Sequence, residues 1–198
     1  AIAHNNELMG IISIQDKVRA DAFTSLQRLR GYGLSLSILS GDRRASVEHL
    51  GQHLGFNISD LGWELLPEEK LHHLKDLQNI SSVAMVGDGI NDAPALAAAD
   101  IGIAIGTGTQ IAQESADLVL LGDRLESLPD AFLLARKTMQ KIKQNLTWAF
   151  SYNLIALPIA AGLLLPNFGL LLSPPIAALL MALSSITVVL NALSLKAT

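Results

Sequence analysis

The residues best suited to chemistry lie in one short segment, Gly87-Asp88-Gly89-Ile90-Asn91-Asp92. An apolar run precedes it, and a helix is predicted to start near Pro94. Carboxylates that follow a strand lie where open α/β sheets bind ligands. Proteins bind Mg²⁺ through one or two carboxylates together with substrate phosphate. The segment therefore predicts a Mg²⁺ site beside a phosphoryl group, although Asp-Gly and Asn-Asp are also ordinary turn dipeptides.

Two further segments carry groups that suit a phosphoryl ligand. Ser40-Gly41-Asp42 follows a predicted strand, and its hydroxyl and glycine amide are suitable donors to phosphoryl oxygens. Lys70 lies near the start of a predicted helix and offers a compact positive charge. Either feature alone is typical of a turn or a solvated charge. Their order along the chain, ahead of Asp88, favours one shared phosphoryl site.

Strands and helices alternate over the segment that must position these residues. Helices are predicted around Val18–Leu29 and Val47–Leu54 and over Pro67–Leu77. The predicted strands are Gly10–Ile14, Leu34–Leu39, Val83–Val86, Ile101–Ile105 and Leu118–Leu121. This alternation predicts an α/β fold with a doubly wound parallel sheet.

The C-terminal quarter of the chain has a different composition. No Asp, Glu, Lys or Arg lies between Gln144 and Leu195, whereas a membrane span needs about 20 apolar residues. The tract is long enough for two transmembrane helices, at roughly Leu146–Leu165 and Leu170–Leu193, joined by a turn at Pro166–Gly169. A buried helix pair in a soluble domain is the alternative. A connector helix is predicted to lead into the first span from about Leu125.

Charge and cysteine content limit the partners and the location. Basic residues flank the two predicted spans but are absent from the turn between them, which predicts an integral, multi-pass membrane protein with its soluble part and both ends cytoplasmic. The lipid bilayer is then a partner. The net charge of −4 and the lack of a basic stripe argue against nucleic-acid binding. The absence of cysteine excludes disulfides and thiolate metal sites within these residues.

Polar side chains within predicted spans are candidate ion ligands. Tyr152 and Asn153 lie in the first span, and Met181, Ser184 and Ser185 share one helix face in the second. The thioether of Met181 is a soft ligand suited to Cu(I). Methionine also fills packing gaps and serine allows helices to approach closely, so a purely structural role is the alternative.

The ordered motifs resemble a known family. Ser40-Gly41-Asp42, Pro67-Glu68-Glu69-Lys70, the run MVGDGINDAPAL and the run GIAIGTGT are similar to the phosphorylation domain of P-type cation-transporting ATPases, which have a haloacid-dehalogenase-like fold. Tyr-Asn in the first span and Met-x-x-Ser-Ser in the second resemble the copper branch of the heavy-metal subclass.

The resemblance implies a role for each matching residue. Asp88 and Asp92 would bind Mg²⁺, Asn91 and Asp92 would order the metal loop and phosphate, and Lys70 would neutralise phosphate charge. Ser40 and Gly41 would bind the phosphoryl group, and Asp42 would assist dephosphorylation. Asp16 resembles an acid of the hinge region. The five residues of the two spans would bind the transported copper.

One motif of the family does not occur in the chain. The DKTGT sequence, whose Asp forms the aspartyl phosphate, is absent. We therefore expect a C-terminal fragment of an ATP-driven copper pump, inactive alone, that works with ATP and the remainder of the polypeptide; the resemblance also implies a copper chaperone as a partner. The expected parts are residues 1–9, the end of the nucleotide-binding domain; 10–124, the phosphorylation domain; 125–145, the connector; and 146–195, the spans.

Three alternatives stay open at this point. The chain could be a membrane-anchored, Mg²⁺-dependent phosphatase of the same fold, which would need a nucleophilic Asp after residues 11–14. It could be an inactive module that binds a partner carrying the missing half. The transported ion could also be silver or Cu(II).

Overall fold

The computed structural model describes residues 2–5, 7–10, 17–88, 91–106, 114–122, 124–163, 165–169 and 173–195. The chain forms two compact units, Ala1–Pro129 and Asp130–Thr198. The candidate hinge residue Asp16 and the predicted strand at residues 11–14 lie outside the described residues.

The first unit contains parallel strands in two sheets and an antiparallel hairpin. Strands β1 (Ile2–His4) and β2 (Glu7–Gly10) form the hairpin, in which Asn5 has a φ of 48°. Strands β3 (Ile38–Leu39) and β4 (Leu61–Gly62) pair in parallel. Strands β5 (Ala84–Gly87), β6 (Ile101–Ile105) and β7 (Leu118–Leu120) form a three-stranded parallel sheet in that order. The predicted parallel pairing is confirmed in both sheets.

Four helices accompany the strands in the described part of this unit. They are α1 (Ala22–Gly31), α2 (Arg44–His53), α3 (Pro67–Gln78) and α4 (Ala93–Ala98). Pro67 opens α3, and the carboxylate of Glu69 accepts a hydrogen bond of 2.8 Å from the backbone N–H of Leu66. Proline at the first helical position and acid in the first turn both stabilise a helix start, so this helix follows its sequence signals closely.

The strand predicted at Leu34–Leu39 is shorter in the structure. Only Ile38 and Leu39 pair, because the partner strand β4 is itself two residues long. Among the described residues, this pair and the sheet of β5, β6 and β7 are separate, so a single doubly wound sheet is not seen there. The apolar run indicated a strand, but the length of a ladder depends on the partner strand.

The core of the first unit lies where α4 packs against the larger sheet and α3 packs against α4. Leu74 of α3 and Leu96 of α4 are each 1% exposed, and Ile103 and Ala104 of β6 are buried. A Cβ atom added to Gly102 of β6 would lie 2.5 Å from the carbonyl oxygen of Leu96. The absence of a side chain at Gly102 therefore lets α4 lie directly against β6.

This close approach makes Gly102→Ala destabilising. The new methyl group would push α4 away from β6, and we expect the free energy of unfolding to fall by about 1–3 kcal/mol, the usual range for an overpacked core. Urea titration of the purified chain would measure the change. Gly31→Ala is the control, since a Cβ atom there meets nothing within 4 Å. An equal loss in both variants would contradict the steric account.

The second unit is helical. Helix α5 (Ser127–Ala160) begins at the end of the first unit and contains Pro158, α6 (Leu165–Phe168) is one turn long, and α7 (Pro174–Leu193) follows. The predicted connector and most of the first predicted span are thus one helix. Within the described residues, α7 is the helix whose length and mean hydropathy of 2.2 suit a membrane span. The second of the two predicted spans is matched by α7, and the first stays a prediction.

Hydrogen bonds join α7 to the middle of α5 within this unit. The Lys141 ammonium donates to Asn191 Oδ1 at 2.9 Å and to Ser194 Oγ at 2.7 Å. Asn191 Nδ2 donates to Asn145 Oδ1 at 2.7 Å. Because these contacts join the end of α7 to residues well before the end of α5, α7 runs back along α5.

Candidate functional site

An ion pair joins two of the residues that the sequence singled out. The Lys70 ammonium lies 2.8 Å from Asp92 Oδ1, and the two side chains are only 13% and 17% exposed. Lys70 lies in the first turns of α3, and Asp92 immediately precedes α4. The packing of α3 against α4 therefore brings a positive charge to the segment that was predicted to bind metal and phosphate.

The carboxylate of Asp92 also lies against the end of β5. A Cβ atom added to Gly87 would be 2.8 Å from Asp92 Oδ2 and 3.0 Å from its Cβ. One carboxylate oxygen of Asp92 is thus engaged by Lys70, while the other lies over a backbone position without a side chain. This contact fixes the carboxylate beside the strand end from which Asp88 projects.

The Ser40-Gly41-Asp42 segment forms a compact turn at the end of β3. The backbone N–H of Asp42 donates to Ser40 Oγ at 3.1 Å, and Ser40 Oγ lies 3.1 Å from Asp42 Oδ2. A Cβ atom at Gly41 would lie 3.3 Å from the carbonyl oxygen of Leu65. Ser40 is half-buried, so the turn presents a held hydroxyl rather than a freely rotating one.

Backbone hydrogen bonds tie this turn to the segment before α3. The N–H of Leu65 donates to Ser40 O at 3.0 Å, and the N–H of Glu64 donates to Asp42 O at 2.8 Å. Helix α3 begins two residues after Leu65, and its residue Lys70 forms the ion pair with Asp92. The start of α3 therefore connects the Ser40 turn to the Asp92 segment.

Sequence reasoning missed the residues that hold this connection. Glu64 adopts a φ of 55°, and the guanidinium of Arg44 lies 4.7 Å from the ring centroid of Trp63 while its Nε contacts Glu48 at 2.6 Å. The segment at residues 63–65 has no motif of its own. Trp63 was the available signal in the sequence, and a single tryptophan does not indicate its partner by spacing.

Asp88 and Asn91 are exposed residues at the loop after β5, and residues 89–90 lie outside the described part of the chain. The donors here are carboxylate, amide and hydroxyl oxygens, which are the ligands Mg²⁺ takes. The described residues contain no cluster of three or more His, Cys, Asp and Glu. Asp88 with one further carboxylate fits Mg²⁺, because that ion completes its shell with phosphate and water.

The five candidate copper ligands lie on α5 and α7. Asn145 of α5 is hydrogen-bonded to Asn191 of α7. Tyr152 lies seven residues after Asn145, and Ser184 lies seven residues before Asn191, which is about 10 Å along each helix. Steps of seven residues return to nearly the same helix face. Both side chains are half-buried, whereas Asn153, Met181 and Ser185 are exposed.

Comparison with known proteins identifies the family. The family model for haloacid dehalogenase-like hydrolases matches residues 1–100. The chain belongs to the haloacid dehalogenase-like hydrolase family. The fold predicted for the phosphorylation segment is therefore confirmed at the level of this family.

Relatives within the family are metal-transporting ATPases. The chain is 46% identical over 195 residues to a probable copper-exporting P-type ATPase of Archaeoglobus fulgidus, covering 98% of this chain and 24% of the relative. It is 43% identical to a probable copper-importing P-type ATPase A of Enterococcus hirae, covering 98% and 26%. The resemblance to copper-type P-type ATPases is confirmed, and the chain spans about a quarter of the length of these curated relatives.

A solved structure supports the arrangement of the described elements. A zinc-transporting PIB-type ATPase in its E2.Pi state matches with a TM-score of 0.83 and 37% identity, covering 96% of this chain and 30% of that chain. The likeness extends over nearly all of this chain, including the helical second unit. The roles of individual residues, however, remain predictions.

Proposed function

We propose that the chain is the part of an ATP-driven copper pump that holds Mg²⁺ and the phosphoryl group, together with two helices of the ion pathway. The observation that carries the proposal is the pairing of Lys70 with Asp92 beside the end of β5 in a chain homologous to copper-transporting P-type ATPases. The nucleophilic Asp and most of the ATP site would come from the rest of the pump polypeptide. Transport activity belongs to that whole protein.

The phosphoryl half of the proposal rests on the connected loops of the first unit. Asp88 would hold Mg²⁺ with Asp92 nearby, and the ion would offset phosphate charge when bound. Lys70 would place its ammonium beside the same phosphate, and Asn91 would order the loop. Gly41 would donate a backbone hydrogen bond to a phosphoryl oxygen, and Ser40 would turn its single hydroxyl proton from Asp42 Oδ2 to the phosphoryl group when phosphate binds. Donors and charges held in place in this way stabilise charge that develops during phosphoryl transfer.

The membrane half rests on the helices of the second unit. Helix α7 has the length and hydropathy of a span, and the uncharged end of α5 would form a second span beside it. We propose a hairpin embedded in the bilayer, with the connector at 125–145 and the first unit on the cytoplasmic side. Residues 1–9 would end the nucleotide-binding domain, and residues 10–124 would belong to the phosphorylation domain.

Copper is favoured over zinc by side-chain chemistry. Helix α7 contains no ionisable residue, and Met181 gives it a thioether. Soft thioethers suit Cu(I) better than they suit zinc. The names of the curated relatives, which include both exporting and importing copper pumps, agree with copper and leave the direction open. A copper chaperone would be a partner of such a pump.

A phosphatase anchored in the membrane is the second candidate, because the family includes hydrolases. The two candidates differ in the covalent step and in copper dependence. If the complete polypeptide that carries this chain is a copper pump, it forms a phosphoenzyme from ATP only when copper is bound. Steady phosphate release that ignores copper would favour the phosphatase.

Met181→Ala tests the ion assignment. We expect the copper concentration for half-maximal phosphorylation by ATP to rise about tenfold or more, since changes around metal ligands typically alter affinity by 10- to 100-fold. Phosphorylation by inorganic phosphate should be spared. The assay is phosphoenzyme formation against buffered Cu(I) in the complete polypeptide. Met139→Ala, at an exposed methionine of α5, is the control. An unchanged copper response in Met181→Ala would favour a packing role.

A further inference from the structure

The network between α5 and α7 contains one charged group. Among the residues that the structure describes, the Lys141 ammonium has two hydrogen-bond partners, Asn191 Oδ1 and Ser194 Oγ, and both are neutral. The sequence has no Asp or Glu after Asp130. Within the described part of the chain, the Lys141 ammonium is therefore held in place by the helix pair with no carboxylate among its partners.

The two neutral partners fix the direction of the ammonium and leave it able to bind an anion. An ammonium has three N–H donors, and two are used here. The Ser194 hydroxyl itself donates to Asn191 O at 2.7 Å, and Asn191 Nδ2 donates to Asn145 Oδ1. These further hydrogen bonds hold the side chains of Asn191 and Ser194 in place. The remaining N–H of Lys141 is the group available to a ligand.

The position of Lys141 along the helix indicates what that ligand is. It lies just before the uncharged tract that begins at Gln144, and its partners lie at the opposite, C-terminal end of α7. In the membrane arrangement proposed above, Lys141 in the middle of α5 and the C-terminal end of α7 are then both at the level of the lipid headgroups. Arg136, Lys137 and Lys143 add positive charge on the same segment. Basic residues next to a span attract anionic lipids.

Trp148 extends the argument toward the acyl chains. It lies seven residues after Lys141, about 10 Å along α5 and on nearly the same face, and its side chain is 53% exposed. Tryptophan is enriched at the membrane interface because its ring is amphipathic. A lipid whose phosphate binds at Lys141 would extend its glycerol and upper acyl chains past this ring.

We propose that Lys141, oriented by Asn191 and Ser194, binds the phosphate of an anionic phospholipid at the junction of α5 and α7. The inference rests on the membrane arrangement of the proposed function. The bound lipid would neutralise the ammonium and contact both helices, so its binding would depend on their pairing. Lipid binding to a diffuse basic surface, in contrast, would not depend on any single lysine.

Quenching of Trp148 fluorescence by brominated lipids tests the proposal. The full chain carrying Trp63→Phe, which leaves Trp148 as its one tryptophan, is reconstituted in phosphatidylcholine vesicles. Brominated phosphatidylglycerol or brominated phosphatidylcholine is then added at equal mole fractions. We expect about fivefold tighter association of the anionic lipid, the magnitude typical of one lysine near a charged headgroup.

Two charge-removing variants separate a built site from general surface charge. Lys141→Gln should remove most of the anionic preference, whereas Lys143→Gln, at an exposed lysine on the same helix, should keep most of it. Unchanged quenching by brominated phosphatidylcholine would show that Trp148 remains in the bilayer in both variants. An equal reduction in the two variants would overturn the site at Lys141.

The remaining outcomes distinguish this inference from the proposed function. Equal quenching by both lipids in the parent chain overturns the lipid site while leaving the membrane arrangement intact. Quenching by neither lipid overturns the arrangement of α5 in the membrane and the lipid site with it. A preference that requires Lys141 supports both.

Discussion

Asp88→Asn in the complete polypeptide is expected to lower phosphoenzyme formation from ATP by more than about 100-fold, the loss typical when one group that stabilises transition-state charge is removed. Asp88 follows β5 directly and is the first carboxylate of the predicted Mg²⁺ loop. The amide is a weaker, uncharged ligand for a hard cation. Acid-stable incorporation of γ-phosphate at saturating Mg²⁺ is the measurement.

The control for this variant is Asp76→Asn on α3. Asp76 is exposed and contacts His72 at 3.2 Å, so the change removes a carboxylate from the same unit without touching the β5 loop. Phosphorylation in the control should match the parent protein. Normal phosphorylation in Asp88→Asn would reject the assignment of Asp88 to the metal.

Lys70→Ala is expected to affect both catalysis and stability. The variant removes a charge beside the proposed phosphate, and we expect a decrease of about 100-fold in the rate of phosphoryl transfer. It also leaves the mostly buried carboxylate of Asp92 without its partner, which should lower the free energy of unfolding by about 1–3 kcal/mol. Single-turnover phosphorylation and urea titration measure the two effects.

A double-mutant cycle tests how much of the stability loss in Lys70→Ala comes from the ion pair with Asp92. If the ion pair accounts for the stability loss, Lys70→Ala with Asp92→Ala should lose less stability than the sum of the single changes. Lys75→Ala, an exposed lysine on the same helix, should be neutral in both assays. Full additivity in the cycle would mean that the two side chains do not interact in solution.

The sequence predicted the elements whose signals are local. Helix α3 begins at Pro67 as expected, because proline and the following acids act within the first turn. Strand β6 covers Ile101–Ile105, the predicted range, since an apolar run between turns marks a buried strand. The strand at Leu34–Leu39 was predicted too long, because its pairing partner Leu61–Gly62 gives almost no signal.

Within the site, residue types were predictable but contacts were not. Lys70 and Asp92 were each singled out, yet nothing in their spacing predicts that they pair. Their contact depends on α3 packing against α4, where Leu74 and Leu96 are buried, and this packing is a tertiary effect. The hydrogen bond between Asn145 of α5 and Asn191 of α7 is likewise a tertiary contact that the spacing of these residues does not predict.

The contact between Gly87 and Asp92 has an evolutionary consequence. Every replacement of glycine adds a Cβ atom, and at this position that atom would overlap the carboxylate of Asp92. Selection that maintains Asp92 therefore also acts on a residue that has no functional group. The choice of amino acid at position 87 is dictated by the volume of its neighbour, so a lineage could lose the activity through a change at Gly87 while every residue with reactive chemistry remained in place.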